Sequence, residues 1–442
     1  MFLPANNKQA RASPQAALWK DAVADELQAM WDKGVMQPVG RAPPGVKPIP
    51  TRMVFTVKSD SAGLVVKLKA RLVARGDYQQ PGDHGDTYAP TGSMGTFRSV
   101  LAVTARRGDD LQQMDFASAF LQAGIKEEVY ITLPHDVEGG EAGVVYKLNR
   151  AIYGLKQSPR AWYDKLAGVL EGIELFASDS DTALFVKRGK TEAEDVLLFC
   201  HVDDLLISGS TDAVKRVKQQ IAEVLDVKDL GEPKVFLGME IERDWKRGTI
   251  TLSQRQYTAE VLDKYDMTVC KPLSAPADYR YALSKEGGEL LGTAGVALYR
   301  ELVGSVMYLA SGTRPDIAQS VGVLGRFMQE PRKPHLVAAK HVLRYLAGTR
   351  SMGIRYGGGK PGVVIFSDSD YAGELERRRS TTGYVVIIDG AAVSWSSRIQ
   401  HTVALSTQES EYMALAAAIR EALSMRKTFS DFHLSKMVWQ SV

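Results

Sequence analysis

The sequence predicts a mixed α/β (α+β) protein of several domains, and three observations carry that expectation. At 442 residues the chain is too long for one hydrophobic core. Short apolar runs bounded by turn residues read as strands, and they alternate with longer segments whose apolar residues recur at helical spacing. From Gly362 onward the pattern changes to three strand-like runs followed by one long helix, which sets off a distinct C-terminal segment.

Taken in order, residues 1–15 are polar and broken by Ala and Pro, and are expected to fray. Residues 19–31 (WKDAVADELQAMW) read as an amphipathic helix, and the Pro-rich stretch 41–50 as an extended connector. Residues 52–58 and 65–73 alternate like a hairpin with Asp60-Ser61-Ala62-Gly63 at its turn. That hairpin carries Lys58, Lys67, Lys69, Arg71 and Arg75. Which of these cations faces inward depends on register, which sequence leaves open. A loop at 82–90 precedes a helix reaching about Arg107.

A short strand then ends in Asp115 and runs at once into a helix-like Ala/Phe/Leu segment (residues 111–121). Residues 129–134 read as a strand, 136–143 as a Gly-rich turn, and 151–166 as the entry to a helix. Ser158 and Pro159 suit its N-cap and first helical position. Lys156 just before and Arg160 just inside make that helix start a natural place for phosphate. Helices are expected at 211–225 and 253–265, with irregular chain at 270–295. Two more helices fall within 299–346, separated by Pro331 and Pro334. The C-terminal segment reads as strands at 363–368, 383–388 and 392–396, a helix at 407–432, and the start of a strand at 436–442.

Composition limits the function classes. Hydrophobic content of 45% with 24% charged residues is ordinary for a globular protein. A net charge of +3 leaves any nucleic-acid channel to local clusters of Lys and Arg. Cys200 and Cys270 are far apart, and no Cys/His spacing suggests zinc, which fits a reducing compartment without structural disulfides. No h-region opens the chain and no window approaches 18 apolar residues, so a soluble, intracellular protein without a membrane span is expected.

The chemistry concentrates in Phe199-Cys200-His201-Val202-Asp203-Asp204-Leu205-Leu206-Ile207-Ser208-Gly209. Two apolar runs flank adjacent carboxylates, which places the aspartates at a tight hairpin turn lacking the Gly or Asn that such turns favour. Two carboxylates held together repel, and a bound divalent cation best offsets that cost. Asp115, at its own strand end, supplies a third carboxylate for an oxygen-rich site suited to Mg²⁺. Two such ions about 3.5–4 Å apart would serve in-line phosphoryl displacement.

QMDFASAFLQAGIKEEVYITLP, AIYGLKQSPRAWYDKL and HVDDLLISG resemble, in order and spacing, the reverse transcriptase of copia-type LTR retrotransposons. The resemblance runs from about Trp19 to the C-terminus. The family usually has Tyr-Val-Asp-Asp at the hairpin, and His201 stands here in place of the Tyr. The resemblance implies a flexible tail (1–15), a right-hand polymerase of fingers, palm and thumb (16–268), connection helices (269–360) and a C-terminally truncated ribonuclease H-like α/β domain (361–442). It implies an RNA-directed DNA polymerase with two Mg²⁺ ions, or Mn²⁺, in a cytoplasmic particle or the nucleus. The implied partners are an RNA template, a DNA primer, RNA–DNA hybrid and deoxynucleoside triphosphates.

Carried over residue by residue, Asp115 matches the first metal ligand and Asp203 the second. Asp204 is the neighbour that supports the metals and the primer end, and the Phe116 carbonyl is a further ligand. Lys69 and Arg71 in KARLVARG face the triphosphate, joined in the nucleotide site by Ala119 and Lys156. Phe120 stands where an aromatic side chain excludes the ribose 2′-hydroxyl. Ser158, Arg160 and Gly238 contact primer or template. Asp368 and Glu411 match two ribonuclease H ligands; the family's third follows the long helix, so that activity is expected to be absent or severely impaired. The alternative reading is a degenerate or domesticated copy that binds RNA or primer–template without catalysis. Its motivation is His201 and the lack of capsid, protease or integrase segments.

Overall fold

The described residues form four β-sheets, each backed by helices. The computed structural model describes residues 2–59, 64–137, 143–191, 194–278, 283–374, 376–431 and 439–441. Within the stretch expected to fray, residues 7–12 are helical. Asn6 accepts the Gln9 amide to cap α1 (Asn7–Ala12), and Ala10 is buried against α2 (Ala16–Asp32). The Asn7 amide (2.7 Å) and the Arg11 guanidinium also donate to the Asp136 carbonyl, a partner that composition does not reveal.

Helix α2 buries Trp19, Val23, Leu27 and Met30, one face at i, i+4 spacing. It lies on a hairpin whose strands follow β1 (Met36–Gly40): β2 (Ile49–Ser59) and β3 (Val65–Ala74). The turn expected at 60–63 lies outside the described residues. Helix α3 (Met94–Arg107) is capped by the Ser93 hydroxyl and stops at Gly108 in the left-handed region (φ +69°). Next comes β4 (Asp110–Phe116). The helix-like segment after it is only a short 3-10 turn, Ala119–Gln122, because Ser118 adopts φ +56° and breaks helical continuation. Strands β5 (Tyr130–Thr132) and β6 (Val145–Leu148) complete a first sheet ordered β1-β6-β5-β2-β3. Most of the Gly-rich turn between them lies outside the described residues.

After α4 (Ser158–Gly172) come β7 (Phe176–Ala177), β8 (Leu184–Lys187), β9 (Val196–His201), β10 (Asp204–Gly209), α5 (Thr211–Val224) and β11 (Val227–Gly231). They form an antiparallel sheet ordered β11-β4-β10-β9-β8-β7. Its central hairpin is apolar throughout because both faces are covered. Leu197, Phe199 and Leu206 pack with α3, whereas Leu198, Leu205 and Ile207 pack with α4 and α5.

The third sheet gathers β12 (Val235–Phe236), β13 (Met239–Asp244), β14 (Thr249–Ser253) and, after four helices, β15 (Gly353–Tyr356). The helices are α6 (Arg255–Lys264), α7 (Thr293–Gly312), α8 (Ala318–Gly325) and α9 (Lys333–Gly348), so three helices follow α6 before β15 rather than the two expected. Pro334 does not separate helices; it sits in the first turn of α9, where its missing N–H is harmless. Helices α6 to α9 share one core around Tyr299, Leu302, Val306 and Leu343, so the boundary expected at 268/269 runs through packed side chains.

The last sheet, ordered β18-β17-β16-β19, consists of β16 (Val363–Asp370), β17 (Thr381–Ile388), β18 (Ala391–Ile399) and β19 (Trp439–Ser441). The strand start expected near the C-terminus is β19, paired parallel to β16. Helix α10 (Thr407–Asp431) covers one face through Ala414, Ala418, Met425 and Phe429. This sheet is stitched to the rest by Arg98 of α3, which is 3% exposed. Its guanidinium donates to the carbonyls of Gly312 (3.1 Å), Val393 (3.0 Å) and Ser311, and lies over the Trp395 ring. Burial pulls this guanidinium down to about 10. Trp395 in turn donates its indole N–H to Ala310 at 2.8 Å.

Candidate active site

The three aspartates sit at one end of the second sheet. Asp204 pairs directly with Asp115 across the β4–β10 ladder and with His201 across the hairpin. The turn itself is two residues, Val202 and Asp203, so Asp204 is the first residue of the outgoing strand rather than part of the turn. Val202 has φ +59°, a left-handed conformation costly for a β-branched side chain. The missing turn glycine thus appears as local strain, on the order of 1–3 kcal/mol.

Three contacts hold the turn in place. The Phe116 amide donates to the Asp203 carbonyl at 3.1 Å, tying the ends of β4 and the hairpin together. The Trp162 indole donates to the Val202 carbonyl at 2.8 Å. The same indole ring meets Phe116 edge-on, with centroids 4.7 Å apart. The Cys200 thiol points at the Val202 carbonyl from 3.8 Å, and burial followed by the charges of Asp203 and Asp204 pushes it up to about 12.

Asp203 is raised to about 6, first by burial and then by the negative charges of Asp115 and Asp204. Its Oδ1 is buried and accepts no hydrogen bond. A half-buried carboxylate with an orphaned oxygen, repelled by two neighbours, fits a hard divalent cation. Among the described residues no three His, Cys, Asp or Glu side chains converge closely enough to form a ready-made cluster.

Two cations of β3 lie near enough to this site to act on Asp203. Along β3 the even-numbered Ala70, Leu72 and Ala74 are buried, which puts Lys69 and Arg71 together on the other face. Both lower the Asp203 carboxyl, opposing the aspartates. The Arg71 guanidinium also lies 5.0 Å from the centre of the Tyr153 ring. Tyr153 meets Phe120 edge-on at 4.8 Å, and its hydroxyl is pushed up to about 12 by burial and then by Asp203. Phe120, Tyr153, Arg71 and Asp203 therefore form one continuous set. Sequence reasoning passed over Tyr153; its place two residues into AIYGLKQSPRAW was the available signal. Glu26 was also missed: it is buried, accepts the Leu72 amide at 3.2 Å, and burial raises its carboxyl against the pull of Lys69 and Arg71.

The other expected site residues lie in varied surroundings. Ala119 is fully buried, in the same core cluster as Phe120. Ser158 is also fully buried; its hydroxyl donates to the Ile152 carbonyl at 2.6 Å, Gln157 occupies the N-cap, and no side chain caps the helix. Arg160 bonds Asp164 and Asp86, each at 2.7 Å, and so ties the 82–90 loop to α4. The Lys156 ammonium donates to the Gln79 carbonyl at 2.9 Å. Gly238 forms a two-residue turn with Leu237 (φ +74° and +51°), a left-handed pair typical of tight hairpins. The Tyr308 hydroxyl donates to the Leu237 carbonyl at 2.8 Å, and a Cβ on Gly238 would come within 2.6 Å of it. Asp368 and Glu411 are both exposed, at a strand and a helix held together by a Ser369–Ser410 hydrogen bond of 2.8 Å.

Comparison with known proteins bears on these features. The family described as reverse transcriptase (RNA-dependent DNA polymerase) matches residues 36–278. The retrovirus-related Pol polyprotein from transposon TNT 1-94 of Nicotiana tabacum is 34% identical over 438 residues, 98% of this chain and 33% of that one. The corresponding polyprotein from transposon RE1 of Arabidopsis thaliana is 37% identical, over 90% of this chain and 27% of that one. The putative transposon Ty5-1 protein of Saccharomyces cerevisiae is 30% identical over 70% of this chain and its own full length. The chain thus spans a third or less of the plant polyproteins it matches. A foamy viral protease-reverse transcriptase, solved in complex with double-stranded DNA, shares the fold with a TM-score of 0.53 at 11% identity, over 96% of this chain and 62% of that one. No helix among the described residues is long and apolar enough to cross a membrane.

Proposed function

Because the chain belongs to the reverse transcriptase (RNA-dependent DNA polymerase) family, we propose that it extends a DNA primer along an RNA or DNA template, using deoxynucleoside triphosphates. The observation that carries this reading is the position of Asp204 opposite Asp115, with Asp203 at the adjoining turn and its Oδ1 lacking a partner. Asp115 and Asp203 would hold two Mg²⁺ ions, flanked by Asp204 and the Phe116 carbonyl, and the ions when bound would supply Lewis acidity and charge neutralisation for in-line displacement.

The chain's own residues do the rest. Lys69 and Arg71, on one face of β3, meet phosphate oxygens of the incoming nucleotide. Phe120, backed by Tyr153, walls the sugar pocket and leaves no room for a 2′-hydroxyl. Exposed Gly238, which has no side chain, lets the primer approach the backbone of its turn closely. The test is primer extension on a homopolymeric RNA template with Mg²⁺ and, separately, Mn²⁺. Template-dependent incorporation is expected; binding of primer–template with no incorporation under either ion would replace this reading with a binding-only one.

A further inference from the structure

The Leu237–Gly238 turn is held from two sides. Phe236, which leads into it, is buried and stacks on Phe97 of α3 with centroids 5.2 Å apart. Its ring also meets Phe199 of β9 edge-on at 6.2 Å, so this end of the turn is set against the strand that leads to Asp203. From the other side the Tyr308 hydroxyl of α7 donates to the Leu237 carbonyl at 2.8 Å. The Tyr308 ring is itself met edge-on by Tyr257 of α6, with centroids 4.9 Å apart. Beyond Tyr308, α7 ends in the Ser311 and Gly312 carbonyls, which accept from Arg98, the residue after Phe97. Phe97, Phe236, Leu237, Tyr308, Gly312 and Arg98 thus close a ring that begins and ends on α3.

Taking the Gly238 turn as the primer contact of the function proposed above, we propose that Tyr308 is a positioning residue for the primer end. Leu237 and Gly238 are both left-handed (φ +51° and +74°), and for a leucine that backbone is strained. The hydroxyl bond to the Leu237 carbonyl offsets that strain and keeps the turn from relaxing. A ring left 38% exposed could pack as well without its hydroxyl, so the hydroxyl is what ties α7 to the turn. The fit is close: a Cβ on Gly238 would lie 2.6 Å from this oxygen but 3.8 Å from the ring carbon that bears it. Because Tyr308 acts through the turn, it governs how long a primer stays bound rather than how a nucleotide binds.

Stopped-flow displacement of a fluorescent primer–template from the full chain tests this without requiring catalysis. Tyr308→Phe is expected to speed dissociation about three- to tenfold, the effect of one lost hydrogen bond. Affinity for single-stranded template and the nucleotide KM should stay near wild type. Gly238→Ala should also speed dissociation, since its Cβ meets the Tyr308 hydroxyl. Adding Tyr308→Phe to Gly238→Ala should then slow dissociation, because the oxygen is gone and the ring carbon sits at ordinary contact distance. The backbone strain of alanine at positive φ is common to both chains and cancels in that comparison. A wild-type chain that holds primer–template but incorporates nothing would overturn the polymerase reading alone, and the dissociation rates would still decide the role of Tyr308. Tyr308→Phe that lowers Tm with dissociation unchanged, or that speeds dissociation equally with and without Gly238→Ala, would overturn the positioning role. A wild-type chain that binds primer–template no better than single-stranded template would overturn both.

Discussion

The indole N–H of Trp162 donates to the carbonyl oxygen of Val202 at 2.8 Å, so a residue of α4 fixes the strained turn that carries Asp203. The same ring packs on Phe116, the residue after Asp115. One side chain therefore sets the relative position of two strand ends that bring the carboxylates together. Trp162→Phe keeps a ring against Phe116 but withdraws the donor, a loss of about 1–2 kcal/mol. The expected result is a roughly 5–30-fold fall in kcat of primer extension with a smaller change in nucleotide KM. A fall in thermal stability with kcat unchanged would reduce Trp162 to a packing role.

Asp203→Asn should abolish extension while leaving duplex affinity near wild type, because phosphate contacts come from cations rather than carboxylates. It should also change stability with pH. Asp203 is raised to about 6, so its folded form holds a proton more tightly than its unfolded form. Its unfavourable contribution is therefore absent at low pH and grows as pH rises from the unfolded carboxylate range through about 6. Without divalent ions, Asp203→Asn should raise Tm at about pH 7.5 and leave it unchanged near pH 4. Added Mg²⁺ should raise Tm of the wild type more than that of the variant. Equal Mg²⁺ responses would remove Asp203 from the metal site.

Phe120→Val should admit ribonucleotides with little loss of deoxynucleotide use. Shortening the wall against Tyr153 frees the space a 2′-hydroxyl needs. The ratio of kcat/KM for the two sugars is the readout, and an unchanged ratio would return Phe120 to a core role.

Arg160→Ala should leave the salt dependence of duplex binding unaltered. Its guanidinium is engaged by Asp86 and Asp164, whose carboxylates already balance its charge. The slope of log K against log salt should match wild type, and limited proteolysis should instead cut the 82–90 loop faster. A shallower slope by about one would restore Arg160 to the template contact.

Hybrid cleavage by this chain should not exceed background. Asp368 and Glu411 lie in elements joined by the Ser369–Ser410 bond, and two exposed carboxylates are a thin set for two-metal hydrolysis. Robust cleavage of the RNA strand of a hybrid would show that further ligands complete the site.

The sequence by itself determined the local elements and the residue types of the site. The apolar runs around Asp203 and Asp204 specify buried strands, and Asp115 closes a third strand, because period and burial are written in hydrophobic pattern. Tertiary structure decided which side chains face the site. Lys69 and Arg71, two residues apart, share a face by strand period alone, but only packing of the sheet decides that this face turns toward Asp203. Ser158 looked like a cap, yet the docking of α4 buried it and turned its hydroxyl to Ile152. Arg160 looked free for phosphate, yet a loop seventy-four residues upstream brought Asp86 to it. Tyr153 and Trp162 drew no attention as chemistry, since an aromatic residue in a helix approach usually reads as core. Their roles arise from contacts with Phe120, Arg71 and Val202, which lie 33, 82 and 40 residues away along the chain and meet only when the sheets and helices pack. Composition and periodicity report a residue's own preference for water or apolar surroundings; they carry no term for the partner that the fold sets beside it.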